Sequence, residues 1–173
     1  MRRWDVLRTF IISDRFKTFV EVGCKEGRTT EHVLQHCSDC QVIAIDPWAA
    51  MPQKGTEGGS ETYEGWDFES IEADFWSRVE PFKDRLTFHR KTSVEAADAV
   101  EDGSQDLIFI DAAHDYESVI EDIAVWRPKL REGGILCGHD FQHDFPSVMD
   151  AVAKSFNLLV VQVAPDSVWW VRV

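Results

Sequence analysis

With 173 residues, a 44% apolar fraction and seven tryptophans, the chain can pack one domain, residues 1–173, and is not a disordered segment. Its formal net charge of −13 repels phosphate backbones and anionic lipid, which argues against nucleic acid or a membrane surface as partner and favours small molecules. No apolar run approaches the ~18 residues of a membrane span and the basic start lacks a signal-peptide core, so the chain is expected in the cytoplasm, its four cysteines reduced.

In chain order, the first segment, residues 1–16, holds a helix over 2–12 with Trp4, Leu7, Phe10 and Ile11 at helical spacing. A strand over 17–22 leads through a glycine turn into a helix over 27–37, and a second strand covers 41–46. Residues 49–66 are polar and Gly-rich, too long for a plain connection, and read as a candidate lid. A helix over 68–79 puts Phe68, Ile71, Phe75, Trp76 and Val79 on one side. The third strand covers 85–90, and Ser93 is placed to cap the short helix that follows. The fourth strand, 106–111, is apolar nearly throughout, as suits a central parallel strand. A helix over 115–126, a turn at "REGG", a strand over 135–139 and a helix over 146–156 come next. In the last segment, 157–173, two apolar runs are separated only by "APDS", too short for a parallel crossover, so they form an antiparallel hairpin. The fold class is α/β, a doubly wound Rossmann-like sheet with helices on both faces. The final hairpin leaves an edge open to pairing with a second copy, so a homo-oligomer stands as an open expectation.

"FVEVGCKEGRTT" joins the first strand to the first crossover helix. Gly23 and Gly27 permit a tight turn and a close ligand approach. A dinucleotide fingerprint needs glycine where Lys25 stands, so that pattern fails. Glu21 before the turn would oppose a pyrophosphate but suits an ammonium group, and Asp46, ending the second strand, suits two ribose hydroxyls. S-adenosylmethionine carries both.

The E-x-G-x-x-x-G turn, the acid of "AIDPW", the run "DLIFIDAAHDYESVIEDIAVWRPKLREGGILCGHDF" and the closing "VWWVRV" resemble class I S-adenosylmethionine-dependent methyltransferases. Within them the chain is most similar to the small-molecule and sugar O-methyltransferase branch that includes the macrocin O-methyltransferases. That resemblance implies strand order 3-2-1-4-5-7-6 with strand 7 antiparallel. It also implies that Glu21, Gly23 and Gly27 contact the methionine end, Thr29 its carboxylate, Asp46 the ribose, Trp48 the adenine face and Ser93 the adenine edge. For Trp48 core packing is an equal reading, and for Thr29 ordinary helix-start chemistry.

The resemblance also makes the fourth and fifth strands neighbours, so Asp111 and Asp140 converge where a methyl group is delivered. Two roles fit them. In one, Asp111, His139 and Asp140 hold a divalent cation, Mg²⁺ by the family's habit, which binds and acidifies the hydroxyl of a small acceptor while His114 takes its proton. His139 is a softer ligand than Mg²⁺ prefers. In the other, Asp111 stays near the sulfonium and His114 acts alone. A separate set, His32, His36, Cys37 and Cys40, has zinc-like residue types but reads better as core cysteine plus surface polar groups. Two rival functions remain: a nicotinamide-dependent oxidoreductase, against which Lys25 and Glu21 count, and a non-catalytic relative that only binds.

Overall fold

The computed structural model describes residues 1–50 and 65–173. Seven strands form one sheet in the order β3-β2-β1-β4-β5-β7-β6. They are β1 Thr18–Val22, β2 Gln41–Ile45, β3 Leu86–His89, β4 Gln105–Ile110, β5 Leu130–Gly138, β6 Gln162–Ala164 and β7 Val168–Arg172. Pairs β1–β2, β1–β4, β2–β3 and β4–β5 are parallel, and β7 runs antiparallel to both β5 and β6. The expected doubly wound order and terminal hairpin are both present. The proposed lid, residues 49–66, lies almost wholly outside the described residues.

Every residue of β4 is buried, because helices cover both faces of the sheet. The two-residue period divides it: Leu107 and Phe109 enter one core, Ile108 and Ile110 the other. Helices α1 (Arg3–Asp14), α2 (Arg28–His36) and α3 (Phe68–Val79) pack on the first face through Leu7, Ile11, Val33, Leu34, Phe75 and Val79. Helices α4 (Ser93–Ala97), α5 (Tyr116–Trp126) and α6 (Pro146–Ser155) pack on the second through Ala96, Ile123, Trp126, Val148 and Val152. No helix among the described residues is long and apolar enough to cross a membrane.

Three local expectations need correction. Thr92, not Ser93, caps α4: its hydroxyl accepts the Glu95 amide while the Glu95 carboxylate accepts the Thr92 amide. Ser93 Oγ instead accepts the Trp126 indole N–H at 2.8 Å. The "REGG" segment is part of β5. Gly133 takes a left-handed φ of 79° and donates its amide to the Val173 carbonyl, so the strand kinks at a register shift without ending. In the hairpin, pairing begins only at Gln162, and Leu158, Leu159 and Val160 before it are exposed.

The hairpin turn ties the sheet to the chain's start. Asp166 and Ser167 both have positive φ, 62° and 55°, as hairpins with the sheet's twist require. Asp166 Oδ2 accepts the Arg3 amide at 2.8 Å, which holds the first turn of α1 over the carboxyl end of the sheet.

Candidate active site

The turn after β1 has left-handed conformations at Gly23 (φ 87°), Lys25 (47°) and Gly27 (79°). At Gly23 the need for glycine is absolute, since a Cβ there would lie 2.3 Å from the Asp111 carbonyl oxygen. The turn therefore touches the end of β4 backbone to backbone. The amides of Gly23 and Cys24 both donate to the Ile45 carbonyl, which ties the turn to β2 as well. Gly27 serves the packing of the fold. It starts α2, and a Cβ there would meet the Phe75 ring at 2.7 Å; it does not line the cavity.

A cavity of about 670 Å³ opens at the carboxyl ends of the parallel strands. Glu21, Gly23, Thr29, Asp46, Trp48 and Ser93 all border it, as do Asp111, His114, His139 and Asp140. Glu21 is buried and accepts a hydrogen bond from Thr30 Oγ1, with Thr29 also close enough to favour the carboxylate. Burial raises the Glu21 pKa, the Thr30 hydroxyl opposes this, and the charge of Asp111 adds to it, leaving the group at about 8. Asp46 accepts the Lys25 amide at 2.8 Å on one oxygen and the Trp48 amide at 2.9 Å on the other, so its carboxylate is fixed in direction. Trp48 is committed to the core: its indole stacks on Phe88 at 4.5 Å, meets Phe75 edge-on and donates to the Lys25 carbonyl. Lys25 carries its ammonium over the Trp66 ring at 4.1 Å, on the wall of the same cavity.

On the wall of the same cavity, four side chains from the segments after β4 and β5 meet one from α1. Asp111 follows β4, and His139 and Asp140 follow β5, with Asp140 in a strained left-handed conformation of φ 58°. His114 Nε2 lies 2.7 Å from Asp140 Oδ2, and His139 Nδ1 lies 3.0 Å from Asp140 Oδ1. His139 Nδ1 is also 3.6 Å from Asp111 Oδ1, and Arg3 Nε is 3.3 Å from Asp111 Oδ2. Burial alone would raise the pKa of Asp140, but the two imidazoles outweigh it and hold the carboxyl well below the usual range. For Asp111 burial wins over Arg3 and His139, and its pKa is raised. His139 is pulled down by burial, yet the bond to Asp140 and the charge of Asp111 leave it raised. Among the described residues, Asp111, His139 and Asp140 are the group whose possible ligand atoms come within 4.8 Å of one another.

Sequence reasoning did not find Arg3 or Thr30. Thr30 carried a signal, being adjacent to Thr29 at the helix start. Arg3 carried none, because its place depends on contacts to residues far along the chain.

The second cluster gathers no such ligand set. The His32 and His36 rings stack at 4.2 Å, His32 Nε2 lies 3.7 Å from Asp5, and Cys37 and Cys40 are both buried. Burial pushes the Cys40 thiol up to about 12, as expected of a core cysteine.

The sequence matches a family described as a methyltransferase domain over residues 20–141, which spans β1 through the acid cluster after β5. Among solved structures, a methyltransferase from Geobacter sulfurreducens superposes with a TM-score of 0.69 at 12% identity, covering 99% of this chain and 78% of that one. The O-methyltransferase TomG from Streptomyces achromogenes, involved in tomaymycin synthesis and solved in complex with SAM, gives 0.67 at 12% identity, covering 98% of this chain and 79% of that one. A 51-residue stretch is 43% identical to the uncharacterized protein y4gI of Sinorhizobium fredii, covering 30% of this chain and 6% of that much longer protein.

Proposed function

The chain belongs to the methyltransferase domain family, and we propose that it transfers a methyl group from S-adenosylmethionine to a hydroxyl of a small polyhydroxylated molecule such as a sugar or glycoside. The observation that carries this reading is the one cavity that Glu21 and Asp46 line together with the 2.7 Å His114–Asp140 pair. Glu21 takes the cofactor's ammonium and Asp46 its ribose. Gly23 brings the backbone close to the methionine end, beside Thr29 and Thr30. Trp48 and Ser93 form the wall near the base, with Trp48 acting as packing for that wall.

Asp140 fixes the imidazole. The Nε2 of His114 lies 2.7 Å from that carboxylate, which holds the ring beside the acid. The acceptor hydroxyl loses its proton to the His114 imidazole as its oxygen attacks the methyl carbon and the sulfonium leaves as a thioether. A neutral acceptor agrees with the net charge of −13, which disfavours polyanions.

The donors around Asp111, His139 and Asp140 bear on the Mg²⁺ reading of that set. All four carboxylate oxygens already face a nitrogen: Arg3 and His139 at Asp111, His114 and His139 at Asp140. A hard cation would have to displace these partners to gain oxygen ligands. The set does not fit Mg²⁺.

The test is methyl transfer from labelled S-adenosylmethionine to a panel of hydroxylated small molecules, alongside calorimetry with S-adenosylhomocysteine and NAD⁺. Binding of the thioether nucleoside but not NAD⁺ is expected. His114→Ala should lower turnover by about 10²–10⁴-fold with cofactor affinity preserved. Folded protein that ignores S-adenosylhomocysteine sinks the reading, and unchanged turnover in the variant removes His114 as base.

A further inference from the structure

We propose that Arg3 is the resident cation of the acid cluster, standing where a metal-dependent enzyme would hold a divalent ion, so that this site excludes divalent metal. The proposal rests on the methyltransferase reading of the cavity but is decided by a separate measurement.

Three observations support it. The guanidinium is aimed, not trailing: Arg3 opens α1, its amide is held by Asp166 at 2.8 Å, and the helix behind it is anchored by buried Leu7 and Ile11. Its Nε is out of contact with solvent and lies 3.3 Å from Asp111 Oδ2. Its Nη1 lies 3.5 Å from His139 Nδ1, so the planar group spans the gap between β4's acid and β5's imidazole. Arginine keeps its charge at any working pH, so the cation is permanent.

The chemistry needs such a charge. Asp111 and Asp140 place two carboxylates in one low-dielectric cavity, where like charges oppose each other and oppose a developing alkoxide. As the methyl leaves, the sulfonium's positive charge disappears. A fixed guanidinium beside Asp111 offsets the carboxylates throughout the transfer. Geometry then divides the cluster, with Arg3 and His139 neutralising Asp111 while Asp140 orients His114.

Mn²⁺ is the probe, followed by its paramagnetic resonance in the full chain with and without S-adenosylhomocysteine. Surface acids will take up some Mn²⁺, so the site is defined by the binding that Asp140→Asn removes. For the wild type, the titrations with and without Asp140→Asn should coincide. Arg3→Met, which keeps the aliphatic stem and removes the charge, should gain one Mn²⁺ per chain, lost again in Arg3→Met/Asp140→Asn. Arg3→Lys should still exclude it. A wild-type Mn²⁺ site removed by Asp140→Asn overturns the proposal, as does a folded Arg3→Met protein that gains none. Should Arg3→Met fail to fold, the wild-type comparison decides alone. Failure to bind S-adenosylhomocysteine would count against the cofactor reading and leave the Mn²⁺ result standing.

Discussion

Strand β4 has an acid at each end, Asp106 buried within it and Asp111 half-buried just after it, and the two are held in opposite ways. At the amino end, Asp106 accepts the amides of Lys17 and Thr18 at 2.5 and 2.9 Å and the Arg131 guanidinium. Its own amide donates to Thr18 Oγ1. At the carboxyl end, the Asp111 carboxylate has, among the described residues, Arg3 at 3.3 Å and His139 at 3.6 Å, distances at or beyond ordinary hydrogen-bond range. Burial pushes both pKa values up, but at Asp106 the Arg131 bond and the two amides overcome it and the value falls, whereas at Asp111 it stays raised. An acid saturated by backbone donors is part of the frame. One held loosely by side-chain cations beside a cavity keeps capacity for chemistry.

The contrast is broken most directly at Asp106. Asp106→Ala leaves two backbone amides and a guanidinium without their acceptor, so a stability loss of about 3 kcal/mol is expected. Denaturant unfolding measures it, and S-adenosylhomocysteine affinity in the folded fraction should be unchanged. The folded pKa of Asp106 is depressed, so its contribution is complete above the ordinary value of 3.8 and is lost as pH falls through the folded value. The variant should therefore lose its stability deficit in strong acid. A deficit under 1 kcal/mol at neutral pH would show that the bonds at the amino end are not what separates the two acids.

Glu21, on the neighbouring strand, sharpens the comparison because burial pushes its pKa up to about 8. A cofactor ammonium needs the ionised form, so binding below pH 8 expels a proton. Affinity for S-adenosylhomocysteine should rise between pH 6 and 7.5 by up to about tenfold per pH unit. Glu21→Gln should weaken binding by about 10–100-fold and remove that slope. The sign for the empty protein is the reverse of Asp106. Glu21's contribution is full below its ordinary value of 4.5 and is lost as pH rises through about 8, so the variant should flatten the decline of stability over that window. Calorimetry in buffers of different ionisation heat counts the proton, and binding that ignores pH would contradict the assignment.

Most of the sheet could be read from the sequence because alternating strand and helix periods are local signals, and a four-residue link such as "APDS" leaves only one pairing direction. The same locality explains what was lost. "REGG" carries a turn's residues, yet Gly133 uses its positive φ to kink a strand that continues on both sides. Gly27 reads as a turn glycine in sequence, and only the fold shows Phe75, from another helix, packed against it. Trp48 is compatible with base stacking in sequence, and only the fold brings Phe75 and Phe88 onto its ring. The cluster of Asp111, His114, His139 and Asp140 was legible because strand ends in a doubly wound sheet converge at one edge. Arg3 was not, since its position is set by Asp166 at the opposite end of the chain.

The smallest expected effect on stability belongs to Asp111, and it is the one that decides the comparison. Its raised pKa means that the ionised carboxylate is a net cost to the empty fold, relieved in part by Arg3 and His139. Asp111→Asn removes the charge without changing the shape, and Arg3, about a third exposed, can turn its head toward water. Unfolding free energy at pH 7 should therefore change by less than about 1 kcal/mol, or rise, the range of a loosely held ion pair. The sign with pH follows. Asp111's contribution is full below 3.8 and lost as pH rises through the raised folded value, so the variant should gain most, relative to the wild type, above that value. A loss matching that of Asp106→Ala would make Asp111 a second frame acid and would leave His114 and Asp140 as the reactive pair without it.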